Sequence, residues 1–352
     1  MYKPNLINAR LKFECLEEIG HEGRNSRVFV STDKQLDCEI VVKEIPKITF
    51  RDESLFFSEA QKLSISSHPN VVDIKFACED DENIYLSMPY YKNGSLKRVI
   101  DSRFLTVREI LRLSIQFLSG LHNIHTKGLI HFDIKPDNIL ISNSNEALLS
   151  DFGLSKAINN YGFAEMDLAY DPIRPPDSFT QTEHTKKYDI YQAGLTLYRM
   201  CNGNITFYQQ FDEICQTDED YEKGIMNGIF PNRKYFLSHI PKSLKKIILK
   251  MLEINQDVRY GSVLEILNDL SLIDEVLDWQ YSNDKNIEIL SKSNNTHTFN
   301  VIIEKNSDLF DIEMTKIRID NQKFSKVSAG CINGILGTKL GDIILKLLKN
   351  YD

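Results

Sequence analysis

The hydrophobic periodicity of this chain changes twice along its length, and that limits how it can fold. Up to about residue 90, short runs rich in Val, Ile, Phe and Tyr alternate with polar turns, at 28–31, 38–44, 71–78 and 84–88. These runs predict a small sheet, and apolar residues at helical spacing predict one helix over 52–65. Helical periodicity then dominates up to about residue 272, with helices predicted over 110–125, 188–200, 244–253 and 262–272.

Strand-like runs return after residue 278, at 286–290, 299–304 and 311–319, and an amphipathic helix follows over 338–348. This pattern predicts a small α+β module at the end of the sequence. Two interpretations of it carry equal weight. The module either binds a regulator or a substrate, or it is a packing extension that stabilises the helical region before it.

Charge and hydropathy exclude some classes of partner. The net charge is −8 and the pI is about 5.6, whereas general binding to nucleic acid backbones requires a cationic surface. No apolar run approaches the ~20 residues that a membrane-spanning helix needs. We therefore expect a cytoplasmic protein with no nucleic acid partner and no membrane span.

The most informative segment carries two carboxylates and an amide close together. Residues 130–140 read I-H-F-D-I-K-P-D-N-I-L, and D-F-G follows at 151–153. Asp133 can accept a proton from a hydroxyl nucleophile, and Lys135 can balance charge on a moving phosphoryl group. Asn138 and Asp151 offer the oxygen ligands that Mg²⁺ prefers. The pattern indicates phosphoryl transfer.

With these residues, the sequence resembles the eukaryotic-type (Hanks-type) protein kinases, whose loop H-R-D-x-K-P-x-N and D-F-G are matched except at Phe132. The resemblance implies a bilobal fold, with a β-rich lobe at 12–90 and a helical lobe at 91–277, after a segment 1–11 and before the module 278–352. It also implies ATP and Mg²⁺ as cofactors and a protein as substrate. The residues that it implies for catalysis are Asp133, Lys135, Lys43, Glu59, Asn138 and Asp151, with Asn138 and Asp151 on the metal.

The family resemblance extends to the nucleotide site. The stretch I-G-H-E-G-R-N-S-R-V at 19–28 resembles a degenerate glycine-rich loop, and I-V-V-K at 40–43 resembles the strand that carries the phosphate-binding lysine. Glu59 is the implied ion-pair partner of Lys43, with Glu53 as the alternative. Met88 resembles the gatekeeper before the hinge. The implied nucleotide contacts are Ile19, Gly20, Gly23, Ser26, Val28, Val41, Lys43, Met88, Pro89, Tyr91 and Leu140.

Three further positions resemble structural anchors of the family. Asp189 resembles the aspartate that holds the catalytic loop, and an ion pair is expected between Asp177 and Arg259. Phe132 replaces the arginine that reads a phosphate on the activation segment in many members. We therefore expect activity without that phosphate, unless another cation, such as Lys156 or Arg174, receives it. The segment 151–177 offers Ser155, Tyr161 and Tyr170 as acceptors and contains no threonine.

The sequence predicts a serine/threonine protein kinase, because Lys135 favours Ser and Thr over Tyr as acceptors. We also expect this kinase to phosphorylate itself. A pseudokinase scaffold is one alternative, although it would lack the equivalents of Lys43, Asp133 or Asp151. A small-molecule phosphotransferase of the aminoglycoside-kinase type is the other. Four features favour a protein kinase over an aminoglycoside-type phosphotransferase: Lys135, the D-F-G glycine, Asp189 and Arg259.

Overall fold

The computed structural model describes residues 11–19, 26–50, 56–166 and 172–352. The described elements of the first lobe are β1 (Phe13–Glu18), β2 (Arg27–Asp33), β3 (Cys38–Pro46), α1 (Ser58–Ile65), β4 (Phe76–Glu79) and β5 (Asn83–Pro89). The strands form an antiparallel sheet in the order β1-β2-β3-β5-β4, and α1 lies against it. Ile45 of β3, Ala60 of α1, and Ile84 and Leu86 of β5 form the core between them.

The second lobe is mainly helical. Its described helices are α2 (Leu96–Ser102), α3 (Val107–Thr126), α4 (Lys187–Asn202), α5 (Asn204–Ile214), α6 (Asp218–Met226), α7 (Lys242–Met251) and α8 (Val263–Ser271). Helix α3 begins with a capping box between Thr106 and Glu109, which satisfies the first backbone donors, and buries one apolar stripe. Helix α4 lies at the centre and is buried along almost its whole length. Short strands between α3 and α4 are β6 (Leu129–Ile130), β7 (Ile139–Ile141), β8 (Ala147–Leu149), β9 (Lys156–Ala157), β10 (Ala164–Glu165) and β11 (Glu183–His184).

Two predicted elements of the first lobe differ from the structure. The strand predicted over 71–78 is wrong in its first half, because only β4 pairs in the sheet. Val71 and Val72 instead pack toward the helical lobe, where the Val72 N–H donates to the Leu149 carbonyl at 2.9 Å. Burial between the lobes therefore explains that apolar run. The predicted helix begins at Ser58 among the described residues, and 51–55 lie outside them.

The last region of the chain has the elements β12 (Gln280–Asp284), β13 (Ile287–Ser293), β14 (His297–Asn306), β15 (Leu309–Arg318), β16 (Phe324–Lys326), β17 (Ile332–Leu336) and α9 (Gly337–Lys349). Its strands form an antiparallel meander, β12-β13-β14-β15-β16, with β17 also paired to β15. Leu340, Ile344 and Leu348 of α9 are buried at the four-residue spacing of one helical face. The predicted strands and helix of this region are present.

This last region packs directly on the helical lobe. Trp279 is fully buried, and the Tyr281 ring stacks on His239 with centroids 5.3 Å apart. Arg108 at the start of α3 forms a bidentate pair with Asp278, at 2.5 and 2.8 Å. One continuous set of buried apolar residues extends from the helical lobe into the sheet and α9. The boundary at residue 278 stays a prediction, since the core does not break there.

Candidate active site

The lysine of β3 lies between two carboxylates. Lys43 Nζ is 2.9 Å from Glu59 Oε1 on α1 and 2.9 Å from Asp151 Oδ1. The Lys43 side chain is only 12% exposed, so this charge is compensated within the cleft. The ion pair that the sequence suggested with Glu59 is therefore present, whereas the alternative partner Glu53 lies outside the described residues.

The loop between β6 and β7 brings the other polar residues together. Lys135 Nζ lies 3.0 Å from Asp133 Oδ2, and the Asn138 amide nitrogen donates to the same oxygen at 2.7 Å. The second oxygen, Asp133 Oδ1, is buried and has no hydrogen-bond partner within the described residues. A buried acceptor without a partner is costly, and a donor from a bound substrate would satisfy it.

These neighbours set the protonation of both aspartates. Burial raises the pKa of Asp133 above its usual range, while the Lys135 ammonium opposes the shift and Asp151 adds to it. The positive charge of Lys43 lowers the pKa of Asp151 despite its desolvation. Burial alone would lower the pKa of Lys43, but the carboxylates of Asp151 and Glu59 outweigh it and raise that pKa. Asp151 is thus kept ionised and Asp133 is the more basic carboxylate.

The residues suggested for the nucleotide share one face of the sheet. Val28 lies opposite Lys43 across β2 and β3, and Val41 lies opposite Met88 across β3 and β5. Because side chains alternate along a strand, these four residues point to the same side. Leu140 approaches from β7, where it bridges to Ser95. Ile19 and Ser26 flank a stretch that includes Gly20 and Gly23, which lies outside the described residues.

The hinge follows β5. Pro89 is the last residue of that strand and pairs with Ile40, and Tyr91 comes two residues later and is half-buried. Burial raises the pKa of the Tyr91 hydroxyl. The hinge therefore links the end of β5 to α2 (Leu96–Ser102), and so joins the two lobes.

Comparison with known proteins agrees with this geometry. The model of the protein kinase domain matches residues 13–272. The chain belongs to the protein kinase family. "Probable serine/threonine-protein kinase CPE1738" of Clostridium perfringens (strain 13 / Type A) is 27% identical over 288 residues, covering 80% of this chain and 40% of that protein.

Two further relatives give the same pattern. "Probable serine/threonine-protein kinase PknB" of Lactococcus lactis subsp. lactis (strain IL1403) is 24% identical, covering 74% of this chain and 42% of that protein. "Serine/threonine-protein kinase PrkC" of Bacillus subtilis (strain 168) is 27% identical, covering 75% and 41% respectively. The chain thus spans about two fifths of the length of these curated relatives. Among the residues that the structure describes, no helix is long and apolar enough to cross a membrane.

The kinase domain holds its catalytic loop from the centre of the helical lobe. Asp189 at the start of α4 is fully buried and accepts hydrogen bonds from the N–H groups of His131 and Phe132, both at 2.8 Å. Gln192, one turn later, accepts from the Ile134 N–H and donates to the Phe132 carbonyl, both at 3.0 Å. The role of Asp189 as the loop anchor matches the family resemblance. Gln192 was missed, although its i+3 spacing from Asp189 places it on the same face of α4.

The end of the activation segment is fixed by a buried ion pair. Arg259 Nη2 lies 2.5 Å from Asp177 Oδ1, and both side chains are almost fully buried. The Arg259 Nε–H also donates to the Glu253 carbonyl at 2.7 Å. The predicted pair is confirmed, so the aspartate forms this contact despite being shorter than the glutamate of most family members.

Phe132 takes up an apolar position under the activation segment. It is 2% exposed and packs with Ile130, Ala164 and Tyr188, and its ring meets that of Tyr188 edge to face at 5.0 Å. Of the suggested phosphate acceptors, Ser155 is fully buried and Tyr161 is 86% exposed. Tyr170 lies outside the described residues.

Proposed function

We propose that this chain is a protein kinase that binds MgATP between its two lobes and transfers the γ-phosphate to Ser or Thr hydroxyls of proteins, including its own. The observation that carries the proposal is the buried Asp133 carboxylate, with Oδ2 held by Lys135 and Asn138 and Oδ1 without a hydrogen-bond partner in the part of the chain that the structure describes. Oδ1 is the acceptor for the proton of the substrate hydroxyl. Lys135 stabilises negative charge that develops beside it.

The donor set fits the cofactor. Among the described residues, no cluster of three or more His, Cys, Asp or Glu could hold a metal by itself. Mg²⁺ in kinases requires only one or two protein oxygens besides substrate phosphates, and Asp151 and Asn138 provide these. When bound, Mg²⁺ neutralises charge on the phosphates. Lys43, oriented by Glu59, would hold the α- and β-phosphates, and the sheet face with Val28, Val41 and Met88 would receive the adenine.

Two alternatives receive less support. A pseudokinase scaffold does not require the connected pairs of Lys43 with Glu59 and Asp151. A small-molecule phosphotransferase does not require the Asp177–Arg259 pair that fixes the segment facing a protein substrate. The Ser/Thr preference rests on Lys135 and on the names of the relatives. Cytoplasmic location belongs to the same proposal. Binding of a regulator or substrate by the last region belongs to it too, on surfaces other than those that pack on the helical lobe.

Three variants test the assignment of roles. We expect Lys43→Ala and Asp151→Ala to abolish transfer to a generic protein substrate, because both act on the nucleotide or its metal. Asp133→Ala should retain nucleotide binding while the rate falls by roughly 10²- to 10⁴-fold, the usual contribution of a general base. The control is Asp320→Ala, which changes an exposed residue of the last region, after β15. Wild-type-like transfer by Asp151→Ala would contradict the proposal.

Substrate class is tested separately. The wild-type chain is incubated with MgATP and either protein substrates or a panel of aminoglycosides, and its own phosphorylation sites are mapped by mass spectrometry. We expect phosphoserine or phosphothreonine on proteins and on the chain itself. Transfer to aminoglycosides alone would support the second alternative, and nucleotide binding without any transfer would support the scaffold.

A further inference from the structure

An open groove lies on α2, immediately after the hinge. It has a volume of about 410 Å³ and is lined by Ser95, Lys97, Arg98, Asp101 and Ser102. Ser95 bridges to Leu140, which approaches the nucleotide side of the cleft. The groove therefore begins at the mouth of the cleft, on the side where α2 packs against the catalytic loop.

The groove carries an uncompensated positive charge. Both oxygens of Asp101 are occupied, one by Lys97 at 3.0 Å and the other by the Asn204 amide nitrogen at 2.6 Å. Arg98 is exposed and forms no ion pair with any residue in the described ranges. Its Cδ lies 3.1 Å from where a Cβ on Gly94 would be, so its side chain extends back toward the hinge. Arg98 is thus the cation that a ligand in the groove would meet.

A buried chain of polar contacts joins this groove to the catalytic loop. Asn204 Oδ1 accepts from Arg199 Nε at 2.7 Å, and Arg199 Nη2 lies 3.8 Å from Asp137 Oδ2. Arg199 is 1% exposed. Asp137 stands between Lys135 and Asn138, so it is a carboxylate close to the reacting groups. Because the Arg199 guanidinium already compensates the Asp137 carboxylate, Asp137 does not offer a free negative charge to a basic side chain of a substrate.

We propose that the α2 groove is a subsite for an acidic side chain of the protein substrate, located near the acceptor hydroxyl. This inference rests on the proposed kinase function and names the class of substrate. The guanidinium of Arg98 matches a carboxylate in charge and in its paired N–H geometry. The arrangement of Asp101 and Asp137, each already paired within the chain, disfavours a basic side chain at the same place.

The test uses three serine peptides that differ only in the residues around the acceptor, which are glutamates, glutamines or lysines. The value of kcat/KM is measured for each peptide with the wild type and with Arg98→Ala, Arg98→Glu and Arg98→Lys. Lys246→Glu, an exposed charge reversal on α7, is the control. The KM for ATP is measured for every variant.

We expect the wild type to prefer the glutamate peptide over the glutamine peptide. An exposed ion pair changes binding by roughly 2- to 5-fold, so Arg98→Ala should reduce that preference by about this factor. Arg98→Glu should reverse it, while Arg98→Lys should retain most of it. Lys246→Glu should behave like the wild type.

Equal kcat/KM for the glutamate and glutamine peptides in the wild type would overturn the subsite, and so would a preference that Arg98→Glu leaves unchanged. A raised KM for ATP without a change in peptide preference would assign Arg98 to the nucleotide and also overturn it. These results leave the kinase function standing. No transfer to any peptide or protein would instead overturn the proposed function together with the subsite.

Discussion

Leu290→Ala tests whether the last region of the chain is a packing extension of the helical lobe. Leu290 lies on β13, between Tyr281 on β12 and Val301 on β14, and is fully buried. It belongs to the buried set that continues into the helical lobe. A cavity here should therefore destabilise both parts of the molecule if they unfold together.

The expected cost follows from the burial. Truncating a fully buried leucine to alanine costs about 2–5 kcal/mol, through lost transfer energy and the cavity left behind. With a value of about 3 kcal/mol and a urea dependence of about 3 kcal/mol/M, the unfolding midpoint falls by about 1 M. Leu309→Ala is the matched control, because this leucine is the first residue of β15 and is 39% exposed. Its substitution should change stability by about 0.5 kcal/mol or less.

The chain contains one tryptophan, Trp279, which is fully buried at the junction, so its fluorescence reports on that contact alone. Far-UV circular dichroism is dominated by the helices and reports on the helical lobe. We expect Leu290→Ala to lower both urea midpoints equally. If the fluorescence midpoint falls while the helical transition stays in place, the region is an independent module and the reasoning from a shared core is wrong.

Three other measurements test the site. Burial raises the pKa of Asp133, so acidification should protonate this base and lower kcat/KM at a higher pH than an ordinary aspartate would require. Lys135→Met removes the ammonium that opposes this shift, so the fall in kcat/KM should then occur at a still higher pH. Phosphatase treatment and Tyr161→Phe should each leave most activity, measured as initial rates, because Phe132 orders the segment by packing; loss that rephosphorylation reverses would contradict this. Arg259→Leu should lower the free energy of unfolding in a urea titration by about 3–5 kcal/mol, since it leaves the buried Asp177 carboxylate without its guanidinium partner, and an unchanged midpoint would contradict that role.

The elements that could be predicted from the sequence are those with a clear apolar pattern. Helices α3 and α4 and the long strands β14 and β15 bury regular apolar positions, and their predicted bounds differ by a few residues from the structure. Strand β1 was missed because its side chains are mostly exposed, so no alternation is visible. Helices α5 and α6 bury few residues and gave no clear helical periodicity. A hydrophobic pattern in the sequence reveals an element only where one of its faces is buried, and these elements bury few side chains.

The site residues were predicted from motif order and family resemblance, since no local pattern joins them. Lys43 meets Asp151 across 108 positions of sequence, a contact that only the tertiary fold creates. The sequence does not identify Arg199 as a site residue, because the pattern around it indicates only a helix. Only the tertiary structure shows that Arg199 connects Asn204 of α5 to Asp137 of the catalytic loop.

The backbone at the catalytic loop shows why local rules fail at such a site. Phe132 and Asp151 have φ values of +68° and +60°, in the left-handed region that residues other than glycine rarely adopt. Each such residue costs of the order of 1–3 kcal/mol and persists only when its surroundings enforce it. For Phe132 the enforcing group is the buried Asp189 carboxylate, 57 residues away in sequence, which accepts two consecutive N–H groups. The strain and its compensation thus lie on different elements, and this fixes the position of Asp133, the next residue, more tightly than any local preference could.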